Sequence, residues 1–388
     1  VNQNRRVYLD NAATTSIDLE VLDSMMPYLV HHHGNASSTH QEGRIAKAAV
    51  EEAREQVSGL FGSTPGEITF TSGGTESIGS VFNSLPSPGP DRTSRIITSE
   101  AEHPAVLACC NLMRERGYDV ITLPVDRRAG VSLEKVKDAM TADTALVALM
   151  HVNNETGAVN PIIQTGALCN ESGCAFLVDT TQSAGKLPVD MHDMGFDYAV
   201  ASAHKLHGPK GIGALCMRLD ARFTPFHIGG SQERGRRGGT EPVALIVGFG
   251  TAASIAIRKM NDTLAVWKRI RDAFITRVRN DFQGVIINGD GGEVQPNIVS
   301  MTLPYDRYPI DGSLIMMNMD LLGVAVSGGS ACSSGSSKPS RIMLACGHDE
   351  KSALATIRFS FGRFTTMDDA LSGAEALKET MERLSAAH

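Results

Sequence analysis

The sequence predicts an α/β fold: a mainly parallel, seven-stranded sheet covered by helices on both faces, with a second, smaller α+β domain. Three observations predict it. Seven short apolar runs recur, at 67–71, 95–99, 120–123, 145–151, 175–178, 198–201 and 212–217. Helix-period segments separate several of them, at 76–85, 104–116, 133–140 and 162–171. Continuous apolar strands spaced by helices belong to sheets buried on both faces. After about residue 258 the alternation gives way to a different, mixed pattern.

In chain order, 42–61 places Ile45, Ala49, Ala53, Val57 and Leu60 on one face, an amphipathic helix. The seven strands and their helices follow. The apolar run 242–257 carries Gly248, Gly250, Thr251 and Ser254 and is too short to span a bilayer, so it reads as a buried helix. A charged helical stretch at 258–282 reads as a connector. Beyond it come strand-like runs at 297–303, 323–326 and 356–361, a helix near 313–322 and a C-terminal helix from 367. The one biased stretch, SGGSACSSGSSKPS at 327–340, reads as a mobile surface loop.

Composition narrows the function classes. Of 388 residues, 42% are hydrophobic and 20% charged, which excludes disordered, collagen-like and low-complexity chains. A net charge of −7, well mixed along the chain, does not attract phosphate backbones, so nucleic acid is not an expected partner. The 38 glycines exceed the usual share and point to tight turns and close backbone approach to a ligand. Seven cysteines, with no CxxC pair, support neither a disulfide framework nor a zinc site. The expectation is thiols in a reducing, cytoplasmic compartment, with no membrane association. The run His31–His33 has no acidic or Cys partner at ligand spacing and reads as a loop, so no metal is expected.

The strand ends carry the chemistry. The run 175–178 delivers Asp179, a carboxylate that is costly inside a fold unless it faces a cation. The run 198–201 delivers Ser202, His204 and Lys205. A Lys at a strand end, beside a His and a hydroxyl, suits a Schiff-base lysine next to a phosphate anchor. The acid then suits the pyridinium nitrogen of pyridoxal phosphate. A buried Asp179–Lys205 salt bridge is the competing reading, and these two segments leave both open. FTSGGTES adds a Gly–Gly turn with Thr75 and Glu76 opening a helix, a phosphate cradle that is neither a Walker A loop nor a dinucleotide fingerprint. His103 and the group Asn153, Asn154 and Glu155 follow two further strands. Polar groups at several strand ends of one sheet converge on one site.

These segments occur in a recognisable order: YLDNAATT (8–15), GNASSTHQEGR (34–44), FTSGGTES (70–77), SEAEHPAV (99–106), HVNNETGAV (151–159), DTTQSAGK (179–186), SAHKLHGPKGIGAL (202–215), GGSQERGRRGGT (229–240), GGSACSSGSSKPS (328–340) and IRFSFGRFTT (357–366). The chain resembles the cysteine desulfurases of the NifS/IscS type, group I, in the class V aminotransferase-like family. The resemblance implies a pyridoxal-phosphate transferase of fold type I. Residues 15–257 would form the large cofactor-binding domain, and 1–14 with 258–388 the small domain that carries the loop 327–340. It implies conversion of L-cysteine to L-alanine, with the sulfur left as a persulfide on the nucleophile Cys332. By the same resemblance Lys205 is the Schiff-base lysine, Asp179 the partner of the ring nitrogen and Gln182 that of the ring 3-hydroxyl side. His103 stacks on the ring beside Asn154 and moves protons. Gly74, Thr75, Ser202 and His204 cradle the phosphate. Thr240 reaches the phosphate of a neighbouring subunit, which implies a homodimer. Arg358 grips the substrate carboxylate, with Asn35 and Asn154 beside it. A sulfur-acceptor protein such as an iron–sulfur scaffold is the implied partner. The chain departs from the family pattern at NASS (35–38), at SGGSAC (327–332) and at Thr181, none of which removes a reacting group. Selenocysteine lyase chemistry would use the same residues. A non-catalytic sulfur-transfer scaffold would show decay at Lys205, Asp179 or Cys332, and all three are present.

Overall fold

The computed structural model describes residues 6–89, 94–328 and 338–386. A short strand β1 (Val7–Tyr8) precedes the seven strands of the main sheet. These are β2 (Ile68–Thr71), β3 (Arg95–Ser99), β4 (Asp119–Leu123), β5 (Thr144–Met150), β6 (Ala175–Asp179), β7 (Tyr198–Ser202) and β8 (Gly213–Met217). Each of the seven apolar runs becomes one of them. The strand order is β2-β8-β7-β6-β5-β3-β4. Pairing is parallel from β7 through β6, β5 and β3 to β4, and β8 alone runs against its two neighbours.

Helices α1 (Leu19–Val30), α2 (Gln41–Ser58), α3 (Gly74–Asn83), α4 (Pro104–Glu115), α5 (Leu133–Ala139), α6 (Ile162–Ser172) and α7 (Val243–Asp281) cover this sheet or lead away from it. The sheet's two faces pack into separate cores. Phe70, Val147, Val178 and Ala199 point to one, and Ile96, Leu146, Leu177 and Val200 to the other, as strand alternation requires. Helix α2 buries its small residues Ala46, Ala49 and Ala53. A Cβ on Gly250 of α7 would lie 2.7 Å from Ala53 Cα, so a glycine is needed for this helix pair to approach so closely.

The apolar run 242–257 and the charged stretch 258–282 are one helix of 39 residues, which corrects the shorter reading of the first segment. By length and composition alone α7 could cross a membrane. Its apolar half, with Ile246, Phe249, Ala252 and Ala253, is instead buried in the core beneath the sheet. Its second half supplies Trp267, Ile270, Phe274 and Val278 to a second core with Leu9, Phe359, Phe361 and Leu377.

That second core lies against strands β9 (Ile286–Asn288), β10 (Ile298–Thr302), β11 (Val324–Ala325), β12 (Ser327–Gly328) and β13 (Thr356–Ser360). Four form an antiparallel sheet, β12-β13-β10-β9, and β1 pairs in parallel with β11. Helices α8 (Gly312–Leu321), α9 (Arg341–Ala345), α10 (Glu350–Leu354) and α11 (Met367–Ala386) complete this part. Ile342 and Met343 of α9 pack into the core of the main sheet rather than the second core.

Candidate active site

The parallel strands β2, β3, β5, β6 and β7 end at one edge of the sheet, where ligands of such folds bind. Strand β8 runs the other way and brings Gly213 to the same edge. A Cβ on Gly213 would fall 2.6 Å from Gly73 Cα and 2.5 Å from the Ala201 carbonyl oxygen, so glycine lets β8 pass beside the β2 turn. A cavity of about 600 Å³ opens at this edge. Gly74, Thr75, His103, Asn154, Asp179, Gln182, Ser202, His204, Lys205 and Arg358 all line it. Of the sequence-derived site residues that the structure describes, two are not brought there. Asn35 is exposed, and its Oδ1 accepts the backbone N–H of Ser37. Thr240 is exposed outside the cavity. Cys332 lies outside the described residues.

Each lining group has a local cause. Asp179 is the last residue of β6, and its Oδ1 accepts the N–H of Thr181 at 2.9 Å, leaving the other oxygen for a cationic partner. Lys205 ends a short 3₁₀ turn directly after β7. Its Nζ donates to the carbonyl oxygens of Ala12 and Ala13 at 2.7 and 2.6 Å. Arg358 sits on β13, where Ile357 and Phe359 face the second core and alternation turns Arg358 the other way. Its Nη1 donates to the Asn154 carbonyl at 2.8 Å and its Nη2 to Asp10 at 2.7 Å. Its Nε is buried without a protein partner.

The segment 8–15 ties these parts together. Ser360 Oγ accepts the Ala12 N–H at 2.8 Å, Asp10 holds Arg358, the Ala12 and Ala13 carbonyls hold Lys205, and Thr14 Oγ1 pairs with His204 Nδ1 at 3.1 Å. At the opposite wall, the N-terminus of α3 meets the end of β7. The Gly74 N–H donates to Ser202 Oγ at 2.9 Å.

Electrostatics sort the two histidines from the acids. Burial lowers the pKa of His103. Asp179 opposes that shift, and Lys205 adds to it. His103 is the N-cap of α4, and its Nδ1 accepts the Ala105 N–H at 3.1 Å. A neutral ring whose Nδ1 accepts carries its proton on Nε2. Burial pushes His204 down to about 4, helped by Lys205 and Lys210.

The donor set fits pyridoxal phosphate. The first turn of α3, with His204 and Lys210 on the same cavity, provides N–H groups and positive potential for a phosphate. Asp179 provides a buried carboxylate for a protonated ring nitrogen, and Lys205 an amine for an aldehyde. Asn154 Oδ1 is buried and has no protein partner. A salt bridge alone would not explain a cavity of this size lined by both Asp179 and Lys205.

The family model described as aminotransferase class-V matches residues 7–371. The chain belongs to this family. A protein named cysteine desulfurase IscS from Dictyoglomus turgidum is 39% identical over 380 residues, covering 98% of this chain and 95% of that one. A solved structure titled NifS-like protein superposes with a TM-score of 0.90 at 32% identity, covering 98% of this chain and all of the other. A second, titled SspA in complex with cysteine, gives 0.78 at 32% identity, covering 93% of this chain and all of the other.

In this class-V chain several site residues escape sequence reasoning. Asp10 lies inside a quoted motif, but its pairing with Arg358 spans 348 positions and has no local signal. The Ala12 and Ala13 carbonyls act through backbone, which no side chain announces. Glu102, next to His103, is fully buried. Its Oε1 accepts from Ser99 Oγ at 2.8 Å and from the Met150 N–H at 3.0 Å. Burial pushes its carboxyl up to about 8. The folded state therefore holds a proton that an unfolded Glu, titrating near 4.3, releases. The resulting stability is present in full below that value and is lost as pH rises through about 8. Glu102→Gln keeps the acceptor and removes the titration. The Tm of wild type minus that of the variant should fall steadily between pH 5 and pH 8.5. A flat difference would mean that Glu102 is ionised in the fold.

Proposed function

We propose that this chain is a pyridoxal-phosphate-dependent cysteine desulfurase, which converts L-cysteine to L-alanine and takes the sulfur onto Cys332. The observation that carries this reading is the convergence of Lys205, Asp179 and Arg358 on one cavity beside the N-terminus of α3. The relative named cysteine desulfurase IscS and the structure titled as a complex with cysteine support the substrate.

Pyridoxal phosphate, when bound, supplies an electron sink for negative charge developing at the amino acid's α-carbon. The phosphate would be held by the Gly74–Thr75 turn with Ser202 and His204. Asp179 would keep the ring nitrogen protonated, and Gln182 would meet the ring oxygen. Lys205 Nζ would hold the aldehyde carbon and, once displaced by substrate, take the α-proton. Arg358 would bind the substrate carboxylate through its fork, which Asp10 and the Asn154 carbonyl hold in place. His103 would donate a proton from Nε2. The Cys332 thiolate would attack the substrate sulfur. An S–S bond forms as the Cβ–S bond breaks, and the electron pair stays with the carbon fragment, which gains protons and leaves as alanine.

We further propose a homodimer in which Thr240 serves the partner's phosphate site, and a cytoplasmic location. Its exposed position outside the chain's own cavity supports the first reading. Six free cysteines among the described residues support the second. The acceptor of the sulfur would be a protein of iron–sulfur assembly or thiolation. The function is tested by adding pyridoxal phosphate to purified protein, reducing with borohydride and mapping the modified peptide. The label should sit on Lys205. A label on another lysine, or none, would contradict the assignment.

A further inference from the structure

Lys186 closes the DTTQSAGK motif but does not line the large cavity. It is 5% exposed. Its Nζ donates to Gln182 Oε1 at 3.0 Å. Gln182 Nε2 in turn donates at 2.9 Å to the Ala12 carbonyl, which also receives Lys205 Nζ. An ammonium has only hydrogens to give, and a carbonyl oxygen has only lone pairs. A flipped Gln182 amide would set its oxygen against the Ala12 carbonyl in every case and, while Lys186 is charged, its NH₂ against the ammonium as well. The amide therefore has one stable direction. Its oxygen is engaged behind the cavity wall, and one N–H of Nε2 is left over after Ala12 is served.

The surroundings of Lys186 favour this role over a structural ion pair. Among the described residues it forms no salt bridge. It shares a small cavity of about 30 Å³ with Lys205, His207 and Arg363, all basic. Burial pushes Lys186 down to about 7, and the Lys205 charge pushes the same way. Charged or neutral, Lys186 Nζ has N–H groups to give, and the Gln182 oxygen is the acceptor it meets.

We propose that Lys186 is a positioning residue that fixes the Gln182 amide, so that Gln182 offers the large cavity a hydrogen-bond donor and not an acceptor. A fixed donor favours a bound group with an anionic oxygen at that point. Removing Lys186 leaves the buried Gln182 oxygen without a donor, and only the Ala12 carbonyl then holds the amide in its direction.

The inference rests on the cofactor reading, and the test separates the two. Apo-protein is titrated with pyridoxal phosphate, and the dissociation constant is read from the visible absorbance. Wild type should bind; absence of binding would overturn the cofactor reading and this inference with it. Lys186→Met should bind about tenfold more weakly, the effect of one buried hydrogen bond to a charged or orphaned group. In a Gln182→Ala background Lys186→Met should cause no further loss, because it acts through Gln182. Gln182→Glu keeps a partner for Lys186 but has no N–H for the cavity, so it too should bind about tenfold more weakly. Unchanged affinity in this variant would overturn the proposal even where Lys186→Met does not fold. Unchanged binding in Gln182→Glu, or an equal loss from Lys186→Met in both backgrounds, would overturn the proposal.

Discussion

Lys205→Ala should leave a folded protein that no longer holds pyridoxal phosphate covalently. The visible band that borohydride removes from wild type should be absent, and alanine formation should fall by roughly 10²–10⁴-fold, the range for a proton-transferring group. The reason is positional. Lys205 Nζ is fixed by two backbone carbonyls at the end of β7, in the same cavity as Asp179 and His103. Among the described residues no second lysine stands equivalently: Lys210 lines the cavity on the phosphate side, and Lys186 lies behind its wall. Far-UV circular dichroism and Tm establish that the variant folds. Retention of the borohydride-sensitive band would mean that another amine carries the cofactor.

Cys332→Ala should bind pyridoxal phosphate as wild type does, and its spectrum should still respond to L-cysteine. Alanine release should fall on the order of a thousandfold or more, since the nucleophile is gone. The other six cysteines are poor substitutes. Cys110, Cys169, Cys174, Cys216 and Cys346 are buried, and Cys109 is half-buried. Burial pushes the Cys110 and Cys346 thiols up to about 12. Cys174 is the exception in charge, since a hydrogen bond from Cys169 lowers it to about 7. It precedes the first residue of β6, whereas Asp179 is the last. Five strand residues separate it from the cavity edge by about 16 Å. Mass spectrometry after one turnover of wild type should place one added sulfur on the Cys332 peptide. Sulfur on the Cys174 peptide would move the nucleophile there.

Much of this architecture is legible from the chain alone. Six of the seven strands are almost wholly buried, and only the edge strand β4 is mostly half-buried, so most of them appear as short runs rich in apolar residues. The residues at or just beyond their ends, Asp179, Lys205, His103 and Asn154, share an edge because parallel strands end together. The antiparallel direction of β8 is not legible, because a buried strand carries no mark of its direction. The length of α7 is hidden by its change of partner: its first half packs in one core and its second in another, so its composition shifts midway. The segment 8–15 acts mostly through backbone carbonyls and through Asp10, whose partner is remote in sequence. Lys186 looks like an ordinary solvated lysine until burial and its bond to Gln182 are seen.

Purified protein loaded with pyridoxal phosphate is given L-cysteine and a thiol reductant, and alanine and sulfide are measured over time. Alanine and sulfide should rise together in equal amounts, with turnover abolished by Cys332→Ala. Sulfide accompanied by pyruvate, or transamination of L-cysteine without sulfide, would contradict the assignment of a desulfurase.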